Sequence, residues 1–258
     1  MILEARDVTH FYGDFRALDA VSLGVETGQL VSIIGPNGAG KSTLINVLTG
    51  GVRPSAGTVR FKGRDIAGVG PMRLARLGLA RSFQLVQIFP DLTVRETLQA
   101  AAVSRLGRGH RLLGSLAADA EVRRDTEHVA GLFGLREKLD APSRTLPQGD
   151  KKLLDVAAAF ALRPEAILLD EPTSGVSTRD KTSVMQMLVQ ASRGTGVQAI
   201  LLVEHDMDIV FGYSDRIVAL QQGRVLADTT PDGLRNDEAV LAVLVGRPPA
   251  SLPAGPGA

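Results

Sequence analysis

Residues 35–42 read Gly-Pro-Asn-Gly-Ala-Gly-Lys-Ser and fit G-x-x-x-x-G-K-[ST], a pattern that wraps phosphate. Glycine at 35, 38 and 40 lets the backbone curl until its N–H groups point at phosphate oxygens. In that pattern Lys41 reaches the outer phosphates and Ser42 offers its hydroxyl to Mg²⁺. Two carboxylates, Asp170 and Glu171, close the apolar run Ala166-Ile167-Leu168-Leu169. Acids at the end of a buried strand are costly unless they do chemistry. Beside a phosphate loop, Asp170 suits a place in a Mg²⁺ shell and Glu171 the polarisation of an attacking water. A further apolar run, Ala199 to Val203, ends in Glu204-His205-Asp206. His205 is placed there to hydrogen-bond a phosphate or the water. His10, His110 and His128 have no such setting and read as structural.

These side chains need elements to hold them. Leu30 to Ile34 is apolar and β-branched, a buried strand, and Thr43 to Leu48 reads as a helix. Strand, loop and helix are the context that the phosphate pattern requires. Leu3 to Val8 and Val21 to Val25 read as strands, with a turn at Phe11-Tyr12-Gly13-Asp14 between them. One of its rings could stack on a base, or both could pack in the core. Leu79 to Phe83 reads as a strand that delivers Gln84 to its C-terminal end, where α/β proteins place ligand groups.

From residue 85 to 150 the composition shifts to Ala, Leu and Arg. Thr93 with Glu96 makes a capping box for a helix running through Ala102. Arg105, Arg108, His110 and Arg111 make a basic stretch, either a solvated helix face or a patch for lipid or nucleic acid. Glu121 to Phe133 is amphipathic. Leu146 to Asp150 is a break, and Leu153, Val156, Ala157 and Phe160 then recur at helical spacing. Arg179 to Ala191 is helical, Arg216 to Leu220 and Arg224 to Asp228 form a hairpin, and Pro231 to Leu244 is helical again. Residues 247–258 carry four prolines and read as a disordered tail.

The bulk numbers narrow the class. The chain has 258 residues, 44% hydrophobic and 22% charged, which is ordinary for a globular protein with a sizeable core. Its net charge of +1 gives no bulk attraction to nucleic acid, and none is expected as a partner. It has no cysteine, so a disulfide framework and a thiolate metal site are excluded. No apolar run reaches the roughly 20 residues of a bilayer span, and residues 1–7 lack the apolar stretch of a signal peptide. The expectation is a cytoplasmic protein, or one bound from the cytoplasm to something in the membrane.

Taken in order, these motifs resemble the nucleotide-binding subunit of ATP-binding cassette (ABC) transporters, from about Leu3 to Gly246. Glu204-His205-Asp206-Met207 and Val243-Leu244-Val245-Gly246 look like the ATPases of branched-chain amino-acid and urea-type importers. The resemblance implies an α/β P-loop NTPase: a RecA-like core with a parallel sheet, a small antiparallel layer and an inserted helical subdomain. The core would span 1–84 and 151–246, and the subdomain 85–150. It implies ATP and Mg²⁺ as ligands. Tyr12 would stack on adenine. Gly35, Asn37, Gly38, Ala39, Gly40, Lys41, Ser42 and Thr43 would hold the phosphates. Ser42, Gln84 and Asp170 would serve the metal. Glu171, His205 and Gln84 would be catalytic. It implies membrane permease subunits, a second ATPase subunit and, indirectly, a periplasmic solute-binding protein as partners, on the cytoplasmic face of the inner membrane.

The family signature Leu-Ser-Gly-Gly-Gln, whose serine hydroxyl and glycine N–H reach the γ-phosphate held by the opposite subunit, is here Leu146-Pro147-Gln148-Gly149-Asp150, so the resemblance implies that Gly149 binds that nucleotide while the serine hydroxyl is absent at Pro147. The family's common D-loop aspartate is replaced by Ser177. Both departures suggest pairing with a non-identical subunit; the other reading is that the family tolerates the proline without consequence and the chain pairs with itself. A nucleotide-binding regulator, or a non-transport ABC protein with weakened turnover, is the alternative. Leu85, Val86, Ile88 and Phe89 form an apolar cluster, a candidate contact for the permease or ordinary core.

Overall fold

The computed structural model describes residues 1–82, 89–107 and 119–244. The stretch with Gln84, Leu85, Val86 and Ile88, the basic residues Arg108, His110 and Arg111, and the tail 247–258 lie outside the described residues.

A four-stranded antiparallel sheet has the order β2 (Phe15–Val25), β1 (Leu3–Tyr12), β4 (Ala56–Phe61), β5 (Arg64–Asp65). A six-stranded sheet has the order β10 (Arg224–Thr229), β9 (Arg216–Gln221), β3 (Leu30–Ile34), β8 (Ala199–Val203), β7 (Ala166–Asp170), β6 (Leu79–Arg81). All its neighbours are parallel except the β9–β10 hairpin. The helices are α1 (Lys41–Leu48), α2 (Pro71–Leu77), α3 (Val94–Arg105), α4 (Ala120–Leu132), α5 (Gln148–Ala161), α6 (Thr178–Thr195), α7 (Met207–Tyr213), α8 (Pro231–Arg235) and α9 (Glu238–Leu244).

The apolar strands read as continuous runs because both faces of the large sheet are covered. Alternate side chains feed different cores. Leu168 and Leu201 join the cluster that packs α1 and the antiparallel sheet. Ile167, Leu169, Ile200 and Leu202 join the opposite cluster with α3, α4, α5 and α6. In that second core the rings of Phe133 and Phe160 meet with centroids 5.3 Å apart. A third cluster sets Ile217 and Ala219 against Val210, Leu234 and Val240.

Several boundaries differ from the sequence expectation. The strand expected to stop at Val8 runs to Tyr12, so Tyr12 is the end of β1 and only residues 13–14 turn. Likewise β2 starts at Phe15 rather than Val21. Pairing of β1 with β2 holds these residues in the ladder although their outer faces are exposed. The strand expected over 79–83 is described only as far as Arg81. Helix α1 begins at Lys41, two residues early. The last helical stretch divides into α8 and α9, with α8 ending at Arg235 and capped by Asn236. In α5, Leu154 is the fully buried leucine and Leu153 only partly so.

The capping box is present. Thr93 Oγ1 accepts from the Glu96 N–H at 3.1 Å, and Glu96 Oε2 accepts from the Thr93 N–H at 2.8 Å. Arg105 is no solvated residue: with Arg163 it pairs the largely buried carboxylate of Asp125, tying α3, α4 and the end of α5. Thr93→Ala removes half of the box and should lower unfolding free energy by about 1 kcal/mol in a urea titration followed by circular dichroism.

Candidate active site

Because β3, β7 and β8 run parallel, their C-terminal ends share one edge of the sheet. The phosphate loop leaves β3, Asp170 ends β7, and Glu204 and His205 follow β8. An open cleft of ≈ 300 Å³ at this edge is lined by Tyr12, Asn37 to Thr43, Glu171 and His205. The topology therefore brings together residues more than 160 positions apart in the chain. Gly35 supports the loop from behind rather than lining the cleft: it sits at φ +150°, and a Cβ there would lie 2.3 Å from the Leu220 carbonyl oxygen. At Gly40, with φ +100°, a Cβ would come within 2.8 Å of the Ala17 oxygen. Both positions require glycine on steric grounds.

Lys41 is 7% exposed. Its ammonium donates to the carbonyl oxygens of Gly35 at 2.6 Å and Pro36 at 3.0 Å. Burial pushes its pKa down, and the carboxylates of Glu171 and Asp170 oppose that shift. The lysine is thus a buried cation held ready by its own loop, with negative charge opposite.

Asp170 is 3% exposed and receives Arg81 Nη2 at 2.9 Å. The same guanidinium donates Nη1 to Asn46 Oδ1 at 2.6 Å, so Arg81 binds β7 to α1. Arg81 is a site residue that the sequence reading missed. The available signal was a cation inside a short apolar strand just before Gln84. Phe15, 66% exposed, was missed too; it lines the cleft beside Tyr12. His10, expected to be structural, is buried and meets the Tyr12 ring edge-on with centroids 4.6 Å apart.

Glu171 takes φ 48°, a left-handed conformation that is uncommon outside glycine, and its N–H donates to the Val203 carbonyl at 2.9 Å. Its Oε1 lies 2.7 Å from His205 Nε2. With Glu171 ionised, Nε2 carries the proton and donates. The two groups expected to act on a water are therefore in contact with each other. Glu204 is buried and accepts from the Thr173 hydroxyl at 2.6 Å and from the His205 N–H at 3.2 Å. Asp206 caps α7 and accepts from Lys181 at 2.7 Å.

Gly149 lies elsewhere, exposed in the first turn of α5 and outside the cleft. Pro147 occupies the N-cap of α5 and supplies no side-chain cap. Ser177, at the N-cap of α6, turns its hydroxyl to Asp180. A larger cleft, ≈ 420 Å³, opens at the opposite edge of the sheet beside Gln29, Arg193 and Asp215, and none of the expected site residues line it.

A phosphate loop, an acidic strand end and a histidine at the carboxyl edge of a parallel sheet define a P-loop nucleotide triphosphatase. The ABC transporter family model matches residues 18–174. The high-affinity branched-chain amino acid transport ATP-binding protein LivG of Salmonella typhimurium is 36% identical over 241 residues, 91% of this chain and 94% of the relative. BraF of Pseudomonas aeruginosa, named for the same transport, is 36% identical over 251 residues, 95% of this chain and 98% of the relative. An ATP-binding cassette of an ABC transporter in its ADP conformation superposes with a TM-score of 0.76 at 29% identity, covering 95% of this chain and 99% of that one. The chain belongs to the ABC transporter family and is one of its ATP-binding, ATP-hydrolysing cassettes.

Two expectations follow from the geometry. Lys41→Ala should lower affinity for a fluorescent ATP analogue by at least about tenfold in a direct titration, since a charge-assisted contact to phosphate is lost. The carboxyl of Asp206 is held below the usual aspartate range by the Lys181 hydrogen bond first and the α7 N–H groups after it. Its stabilisation is full above the ordinary aspartate pKa and fades as pH falls through the lowered value. Asp206→Asn should flatten the acid limb of melting temperature against pH.

Proposed function

We propose that the chain drives an importer for a small polar solute of the branched-chain amino-acid or urea type, seated under membrane permease subunits on the cytoplasmic face of the inner membrane. The observation that carries the hydrolytic half is one cleft holding Lys41, Glu171 and His205 together. The transport half rests on what LivG and BraF are named for. No helix among the described residues is long and apolar enough to cross a membrane, so attachment would come from the permease. A periplasmic solute-binding protein would choose the solute. LivG and BraF favour this reading over a nucleotide-binding regulator or a non-transport ABC protein.

In this reading Tyr12 stacks on adenine with Phe15 beside it. The N–H groups of the loop from Asn37 to Thr43 and the freed ammonium of Lys41 hold the phosphates. The donor set suits Mg²⁺: one hydroxyl, Ser42, and one carboxylate, Asp170, leave room for water and phosphate oxygens, which Mg²⁺ prefers over an all-protein cage. Among the described residues no cluster of three or more His, Cys, Asp or Glu exists to favour another metal. Mg²⁺ would neutralise charge on the outer phosphates. Gln84 belongs to the same set. Glu171 releases its contact with His205 and takes a proton of the attacking water, whose oxygen bonds the γ-phosphorus as the bond to the β–γ bridging oxygen breaks and ADP leaves, while His205 Nε2–H turns to the γ-phosphate. Gly149 and the N-terminus of α5 face the nucleotide of a second ATPase subunit across a head-to-tail pair. The division into a core, 1–84 and 151–246, and a helical subdomain, 85–150, belongs to this reading. Its support is the all-helical packing of α3 and α4 against α5, although the apolar core runs unbroken between the two parts.

A colorimetric phosphate assay tests the reading. The chain should release phosphate from Mg·ATP, and Glu171→Gln should slow release by about a hundredfold or more. Full activity of that variant would remove Glu171 as the base. Pro147→Ser should raise turnover of the chain alone by restoring the hydroxyl. An unchanged or lower rate would show that the proline is no brake. Light scattering of Glu171→Gln with Mg·ATP should show a doubled mass if the chain pairs with itself, and a monomer if it needs a different ATPase partner.

A further inference from the structure

Lys152 lies one turn after Gly149 in α5, outside the nucleotide cleft, and is 8% exposed. Its ammonium donates to the Ser174 hydroxyl at 2.6 Å. Burial pushes its pKa down, opposed by the carboxylates of Glu171, Glu204, Asp155 and Asp170. A buried cation is costly to keep unless its charge and its bonds are used.

The partner it holds sits at a junction. The Ser174 N–H donates to the Glu171 carbonyl at 3.1 Å, one tight turn from the carboxylate assigned as the base. The neighbouring Thr173 hydroxyl bonds Glu204, and Glu204 accepts the His205 N–H. The 173–174 loop is therefore linked to both Glu171 and His205, and Lys152 links that loop to the helix that begins at the signature segment.

We infer that Lys152 is a positioning residue that ties the start of α5 to the loop behind Glu171 and His205, so that the part of the chain facing a second subunit's nucleotide moves with the part that acts on its own. The inference rests on the paired reading given above. It predicts a particular pattern. Lys152 hydrogen-bonds Ser174 and does not line the nucleotide cleft, so its loss should slow turnover far more than it weakens binding. Lys152 and Ser174 act through one bond, so their losses should not add.

The test is a double-mutant cycle in the full chain with Lys152→Met, Ser174→Ala and the pair, with Lys152→Arg as the conservative variant. Lys152→Met should lower kcat for phosphate release about tenfold and change affinity for a fluorescent ATP analogue by less than about twofold. Lys152→Arg should restore most of the rate. The double variant should be no slower than the slower single one. Wild-type turnover in Lys152→Met, losses that multiply, or equal losses in binding and turnover would overturn the inference. Hydrogen exchange gives a second readout that needs no turnover. Amides of 173–177 should exchange faster in Lys152→Met than in the unchanged chain, and Ser174→Ala should reproduce that rise. Unchanged exchange in both would sink the tether. If the unchanged chain released no phosphate, the hydrolytic reading would fall, while the exchange result would still decide whether Lys152 holds the loop.

Discussion

A buried ammonium beside two carboxylates is the constraint on which the rest of this structure depends. Lys41 gives up hydration and receives in exchange the carbonyls of its own loop and the field of Asp170 and Glu171. Neither of the two buried charges, Lys41 and Asp170, would be tolerable alone at that depth, and the half-buried Glu171 adds to the field between them. Each needs the others at fixed places, and fixed places need a sheet whose strands end together. The parallel order of β3, β8 and β7 meets that need. The alternation of each strand between two cores keeps the strands from slipping, since a shift of one residue would exchange both faces at once.

Cation placement recurs around the same edge. Arg81 holds Asp170, Lys152 holds the loop behind Glu171, and Lys181 holds Asp206 next to His205. Each is bonded across elements, so the acidic edge is braced from β6, α5 and α6 in turn. The left-handed backbone of Glu171 is consistent with such bracing, because strain of that kind persists only where the surroundings over-determine it.

What was legible in the sequence was whatever has a local signature. The glycine spacing of 35–40, the capping box at Thr93 and Glu96 and the apolar runs before Asp170 and Glu204 each carry their meaning within a few residues. The family resemblance placed Tyr12 and Gly149, which periodicity alone could not. What stayed hidden depends on contacts between distant segments. Arg81 and Lys152 look like ordinary cations until the fold sets them against Asp170 and Ser174. Phe15 is invisible for the same reason: its side chain earns a place in the cleft only because β1 and β2 pair to their very ends. The contact between Glu171 and His205 was likewise out of reach, since Glu171 was assigned to the water and His205 to a phosphate or the water, not to each other.

Helix α5 begins at a proline that offers no side-chain acceptor, so no N-cap side chain closes its opening N–H groups. An incomplete helix end is a small deficit of stability that any arriving anion can make good. For α5, ligand and secondary structure then share one equilibrium: whatever brings negative charge to that end also finishes the helix. A serine in the same place would complete the helix in advance.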